Sequence, residues 1–370
     1  MKTTTHSPQR PIGIAIAGLG FGESVHLPAV QTSDGLNLLK FWHPRQARLE
    51  KACEEHGING ESDWSKLLTT PGLDAVIIAT PPEPRFKLAQ LALQAGKHLF
   101  LEKPVALNSR EVSALQKLAI TKGLSVAVDF EYRAVPLFIQ AARLLGDGAV
   151  GKPWLVKFDW LMSSRANASR PWNWYSETEQ GGGVIGALGT HAFDLLHWLI
   201  GPPRAITGRT SISIPERPHP NGSDLQKVSS EDVALAQIQL EDSHGDLVPA
   251  QVNLASVARN GRGCWIEIYG SQGTIILGSD NQKDYVHGFG LWHARAGEAL
   301  RSVKPDPDLC FQTTWSDGRI APVKRLLGWW ADSINLGRPM IPGLSEGLMS
   351  QKVCDQLKES ALSEQSLIIK

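Results

Sequence analysis

Ile12-Gly13-Ile14-Ala15-Ile16-Ala17 runs directly into Gly18-Leu19-Gly20-Phe21-Gly22, and the joint reading of these two stretches decides the fold. An apolar run of this length, closed by glycine, reads as a strand buried on both faces. The glycines after it allow a tight turn and let backbone N–H groups approach an anion at the positive end of the next helix. Working outward, apolar runs recur at 36–42, 75–79, 98–101 and 124–128. Helical patterns separate them at 45–57, at 86–95 and from Asn108-Ser109 onward. Thr80-Pro81-Pro82 stops the third run and Glu102-Lys103-Pro104 the fourth. Strands alternating with helices predict an α/β fold with a parallel, doubly wound sheet, a Rossmann dinucleotide-binding domain over residues 11–128.

After Pro136 the texture changes. A helix at 137–145 leads to a strand at 154–161, and a further helix is expected at 185–199. Strand candidates follow at 206–214, 233–240, 248–257, 265–269 and 274–277, with closing helices at 327–336 and 344–360. Successive strands with few helices between them predict a C-terminal α+β domain, residues 129–370, around an open, largely antiparallel sheet. The Pro-, Ser- and Asn-rich stretch 215–230 reads as a mobile loop or lid. Residues 1–10 are polar, without the apolar core of a secretory signal, and read as a disordered lead-in.

Composition narrows the chemistry. The 370 residues carry 37 Lys and Arg against 37 Asp and Glu, so the chain lacks the positive field of a nucleic-acid or anionic-membrane binder. No apolar run reaches the roughly 18 residues that span a bilayer. Cys53, Cys264, Cys310 and Cys354 are too scattered for a zinc site and too few for a disulfide scaffold, which predicts a cytoplasmic setting. A small-molecule substrate is the remaining partner. There are 12 Trp against 4 Tyr and 10 Phe; only Trp42 and Trp64 precede residue 150, while Trp154, Trp160, Trp172, Trp174 and Trp198 crowd the next fifty.

The second strand ends in Phe41-Trp42-His43-Pro44-Arg45, with no acidic residue to hold the ribose 2′-hydroxyl of NAD. Arg45, with His43 and Arg48 as further candidates, suits a 2′-phosphate, which favours NADP over NAD. The plainer alternative is that Arg45 opens the next helix as a solvated charge. The spacing His191-x-x-Asp194-x-x-His197 does not make a metal site: at about 100° per residue the two histidines lie about 240° apart around a helix. No metal is expected.

Ala79-Thr80-Pro81-Pro82 and Ala95-Gly96-Lys97-His98-Leu99-Phe100-Leu101-Glu102-Lys103-Pro104 resemble the Gfo/Idh/MocA oxidoreductase family, which includes glucose–fructose oxidoreductase and inositol dehydrogenase. Gly148-x-x-Gly151-Lys152-Pro153, Gly181-Gly182-Gly183 and Gly189-Thr190-His191-Ala192-Phe193-Asp194 extend the resemblance in order to about residue 200, and more loosely to about 360. It implies hydride transfer between NADP or NAD and a sugar, polyol or related cyclic alcohol or ketone. Lys103 and His191 are then the catalytic residues that manage the proton of the reacting oxygen. Gly18, Gly20, Phe21, Gly22, Thr80, Pro81, Glu102 and Lys103 would bind the cofactor beside His43 and Arg45. The second sheet would cover its open apolar face in a homodimer or homotetramer.

The chain departs from the family at Ala187, where many relatives carry an acid four residues before the histidine. Glu131, at a position where relatives often have an amide, is the most attractive substitute, unless it merely pairs with Arg133. Asp194 would orient or buttress the site. Arg170, Trp172 and Trp174 lie in a loop that could stack on a sugar ring or meet an anionic or aromatic substrate, although both tryptophans suit domain packing equally. His26 reads as a helix residue that could reach the cleft. Two further readings stay open: a reductase or dehydrogenase of a dihydrodiol- or biliverdin-like substrate, and a non-catalytic dinucleotide-binding regulator.

Overall fold

A computed structural model describes residues 10–222, 224–281 and 286–369. The lead-in therefore lies almost entirely outside the described residues. Six parallel strands, β1 (Ile12–Ala17), β2 (Leu36–Trp42), β3 (Gly60–Glu61), β4 (Ala75–Ile78), β5 (His98–Leu101) and β6 (Val126–Val128), form a sheet in the order β3-β2-β1-β4-β5-β6. β1 is central and buried at every residue, as an uninterrupted apolar run requires. Helices α1 (Leu27–Gln31), α2 (Gln46–His56), α3 (Trp64–Leu68), α4 (Pro82–Gln94) and α5 (Ser109–Lys122) make the crossovers. α2 stops at Gly57 and α5 at Gly123, both left-handed, where a side chain would be strained.

The chain then forms α6 (Pro136–Gly146) and a mixed sheet. Its strands are β7 (Pro153–Leu161), β8 (Pro203–Ser211), β11 (Val233–Glu241), β12 (Leu247–Ala255), β13 (Gly263–Gly270), β14 (Gly273–Ser279), β15 (Gly290–Arg295), β16 (Arg301–Val303) and β17 (Leu367–Ile368). The order is β16-β15-β14-β13-β7-β12-β11-β8-β17, antiparallel throughout except for β7 beside β12. One face packs on α6, α7 (Thr190–Leu199) and α9 (Leu344–Ser363) around Phe158, Phe193, Val353 and Leu357. The other face is open and carries Leu155, Leu235 and Leu247, which are 40–55% exposed.

Two expectations need correction. The stretch 215–230 is not a bare loop, because Glu216–Pro218 (β9) and Leu225–Lys227 (β10) pair as a small hairpin. The buried Arg217 fixes it by donating to the carbonyls of Arg165 and Asn167. The helix expected at 327–336 instead begins at Ile320 as α8 (Ile320–Leu336). Pro322 does not break it, since first-turn N–H groups have no partner within the helix. α8 returns to the parallel sheet, where Trp330 is fully buried against Phe100, with ring centroids 5.6 Å apart. Among the described residues, no helix is long and apolar enough to cross a membrane.

Candidate active site

The C-terminal ends of the parallel strands, α7 and the 163–175 loop enclose a cleft of about 570 Å³. Its floor begins with the glycine turn. Gly18 has φ 98°, and a Cβ there would lie 2.7 Å from the Ala79 backbone, so only glycine passes. Gly20 has nothing within 4 Å of where a Cβ would stand, and it lines the cleft with Phe21. That leaves a backbone-lined space at a helical N-terminus, which fits a dinucleotide pyrophosphate. Gly22 sits outside the lining; a Cβ there would press on Ile16 at 2.9 Å, so this glycine serves packing.

Thr80, Pro81, Glu102 and Lys103 extend the floor along the ends of β4 and β5. Arg85, which no motif singled out, ties these ends together. Its buried guanidinium donates to the Glu102 carbonyl at 2.6 Å and to the carbonyls of Pro104 and Thr80. At the end of β2, His43 and Arg45 line the cleft; burial lowers the His43 pKa, and the ring accepts from the Arg45 N–H at 3.1 Å. The Arg45 guanidinium is exposed and meets no carboxylate among the described residues. Arg48 is committed elsewhere, to the Leu19 carbonyl and Glu23.

Lys103, Glu131 and His191 converge on the cleft. Lys103 Nζ donates to the Ala187 carbonyl at 3.0 Å, so the position that lacks an acid still anchors the lysine through its backbone. An ammonium has three donors, so two remain for other partners. His191 Nε2 lies 3.5 Å from Glu131 Oε2. Burial, followed by the Lys103 charge, drives the His191 pKa well below the ordinary imidazole value, so the ring is neutral at pH 7. Tyr132 and Trp160 pack on this ring at 4.9 and 6.0 Å. Burial pushes Glu131 up to about 7, against the pull of Lys103. Glu131 does not pair with Arg133, which is held bidentate by buried Asp194 at 2.7 and 2.8 Å. Asp194 is thus absent from the cleft lining and braces α7 from behind.

The aromatic loop divides. Trp174 and Tyr175 line the cleft, with Trp160 and Tyr132. Trp172 does not: its Nε1–H donates to the Lys227 carbonyl at 3.1 Å, seating it on the hairpin. Arg170 is also outside, donating to the Ser164 carbonyl. Arg165 lies 3.9 Å over the Tyr175 ring, and burial followed by Arg170 lowers it to about 10. Arg319, just before α8, enters the lining beside Phe21, 4.9 Å from its ring. Its isolated position in the sequence carried no signal of this.

Comparison with known proteins agrees with the geometry. The Gfo/Idh/MocA model described as an oxidoreductase family with an NAD-binding Rossmann fold matches residues 12–130, and its C-terminal alpha/beta domain model matches 142–368. An uncharacterised oxidoreductase of Synechocystis is 41% identical over 358 residues, 96% of this chain and 95% of its own. The levoglucosan dehydrogenase of Pseudarthrobacter phenanthrenivorans is 28% identical, over 61% of this chain and 60% of its own. The scyllo-inositol 2-dehydrogenase of Bacillus subtilis is 26% identical, over 73% and 75%. A levoglucosan dehydrogenase structure with NADH and L-sorbose superposes with TM-score 0.86 at 22% identity, over 98% of this chain and all of that one, a likeness of fold.

Proposed function

The chain belongs to the Gfo/Idh/MocA oxidoreductase family, and from that premise we propose that it oxidises or reduces a neutral sugar, polyol or related ring, with NADP preferred over NAD. The convergence of Lys103, Glu131 and His191 beside a glycine-turn cleft carries this reading. When bound, the nicotinamide supplies the acceptor or donor of hydride. The chain's own residues handle the oxygen and its proton. Lys103 Nζ, anchored on the Ala187 carbonyl, turns its remaining N–H bonds to the reacting oxygen and stabilises negative charge there. Neutral His191 positions the same oxygen, and Glu131, titrating near neutrality, takes the hydroxyl proton on oxidation and returns it on reduction.

The neutral substrate follows from the walls. None of Arg165 and Arg170 of the loop or Arg217 of the hairpin lines the cleft; they lie over the Tyr175 ring or donate to backbone carbonyls, so these charges do not face a bound ligand. Trp160, Trp174 and Tyr175 present ring surface suited to the C–H face of a sugar. Ala187 also supports a second reading, a less hydroxylated ring such as a dihydrodiol. Arg45, exposed where NAD-binding sites carry an acid, supports the NADP preference. Profiling neutral sugars, polyols and dihydrodiols with both cofactors, read by nicotinamide absorbance, tests the assignment; turnover of none of them would refute it.

The four free cysteines suit the cytoplasm. The open sheet face suits a homodimer or homotetramer. Leu235→Lys should then convert the assembly to a monomer on size-exclusion chromatography, with the cleft intact.

A further inference from the structure

Beside Lys103 lies a second group of titratable side chains, His26, Glu102 and Asp129. His26, wholly buried, places Nε2 2.9 Å from Glu102 Oε1 and 3.6 Å from Asp129 Oδ2. The ring is wedged edge-on between Phe21 and Phe100, with centroids at 5.2 and 5.4 Å, so it has no room to turn. The carboxyls of Glu102 and Asp129 each bring an oxygen within 4.8 Å of the other and of the ring nitrogen, close enough that ionising one raises the cost of ionising the second. Neither oxygen of Asp129 has a hydrogen-bond partner among the described residues, so its ionised form lacks the hydrogen bonds that a buried carboxylate needs.

We propose that His26 and Asp129 are positioning residues that act through Glu102: His26 donates to Oε1, Asp129 stays protonated so that no second negative charge opposes it, and the Glu102 carboxylate is thereby held on the cleft wall beside Lys103. This rests on the dehydrogenase reading above. The electrostatics agree in direction. Burial would raise Glu102, but the bond and field of His26 outweigh it and hold the group below its usual range. Burial and then Glu102 push Asp129 well up. The other charges around the cluster are Arg85 from α4, Lys103 beside Glu102, Glu131 after β6 and Arg319 before α8. His191, held neutral, adds none. Of the two carboxyls beside the lysine, the cluster leaves Glu102 on the cleft wall ionised as a counter-charge and keeps Asp129, outside the lining, neutral.

The three ligand-type atoms lie within 4.8 Å of one another, a spacing that could also suit a divalent ion. The 2.9 Å separation of Nε2 and Oε1 satisfies both atoms by a direct hydrogen bond without an ion.

The test uses full-length His26→Leu, His26→Gln and Asp129→Asn, with infrared spectroscopy of carboxyl-labelled protein alongside kcat and KM for the best substrate of the panel. At about pH 8, above the titration of Glu131, the wild type should show a protonated carboxyl that disappears in Asp129→Asn. Under the same conditions His26→Leu should add a further protonated carboxyl, that of Glu102, and lower kcat about tenfold or more with KM little changed. His26→Gln, which keeps an N–H donor, should abolish the added band and restore most of kcat. The proposal is overturned if Asp129→Asn matches the wild-type spectrum, if Gln behaves as Leu, or if the native protein carries a stoichiometric divalent ion by mass spectrometry. Should His26→Leu fail to fold, the Gln and Asn variants still decide it. If no substrate is turned over, the dehydrogenase reading fails, and the infrared result alone judges the cluster.

Discussion

On the sheet side of the cleft, the lining comes from loops that directly follow parallel strands: Gly18 to Phe21 after β1, His43 and Arg45 after β2, Thr80 and Pro81 after β4, and Lys103 after β5. On the opposite side, Trp160 ends a strand of the mixed sheet, Trp174 and Tyr175 belong to an irregular loop, and His191 rides on α7. The first wall is assembled from short contiguous motifs with backbone and glycine geometry at their centre. The second depends on the side chains themselves, Trp160, Trp174, Tyr175 and His191, rather than on backbone and glycine geometry. Cofactor binding should therefore resist substitution on the second wall, while substrate choice should not.

Glu131 belongs to neither wall alone, and its substitution should have a large effect. Glu131→Gln should lower kcat about a hundredfold and remove the rise in oxidation rate through about pH 7. Its stability effect runs the other way. A carboxyl raised to about 7 by burial holds a proton in the folded chain that the unfolded chain releases near about 4.3. Its contribution is full below the unfolded value and lost as pH rises to about 7. Thermal unfolding should find Glu131→Gln more stable than wild type by about 1–3 kcal/mol at pH of about 8, with the gain vanishing in acid.

The two tryptophans of the loop sharpen the contrast. Trp174→Ala should raise substrate KM about tenfold, whereas Trp172→Ala, seated on the hairpin, should change it less than about twofold. Equal effects would mean that the wall is drawn in the wrong place. On the sheet side, Arg45→Ala should weaken NADPH binding about fivefold, measured by fluorescence, and leave NADH nearly unchanged. An unchanged NADPH affinity would remove the 2′-phosphate assignment.

The same contrast explains what the sequence reveals. Strand–turn–helix units depend on neighbours in the chain, so β1, the glycine turn and the Glu102-Lys103-Pro104 turn are legible directly. Arg85, His26 and Arg319 are not: an arginine or histidine within a helical pattern reads as a solvated or packed residue until distant loops close over it. Trp172 and Trp174 are two residues apart and indistinguishable by pattern, yet the β9–β10 hairpin captures one and leaves the other in the cleft. Asp194 and Glu131 both suggested site carboxylates; only the capture of Arg133 by Asp194 separates the brace from the cleft-facing acid.

The most direct measurement is single-turnover hydride transfer by Lys103→Ala at saturating cofactor, with cofactor affinity determined on the same preparation. The rate should fall about 10²–10⁴-fold while cofactor affinity stays within about threefold of wild type. Hydride transfer at the wild-type rate would show that the reacting oxygen is managed elsewhere and contradict the assignment of this cleft.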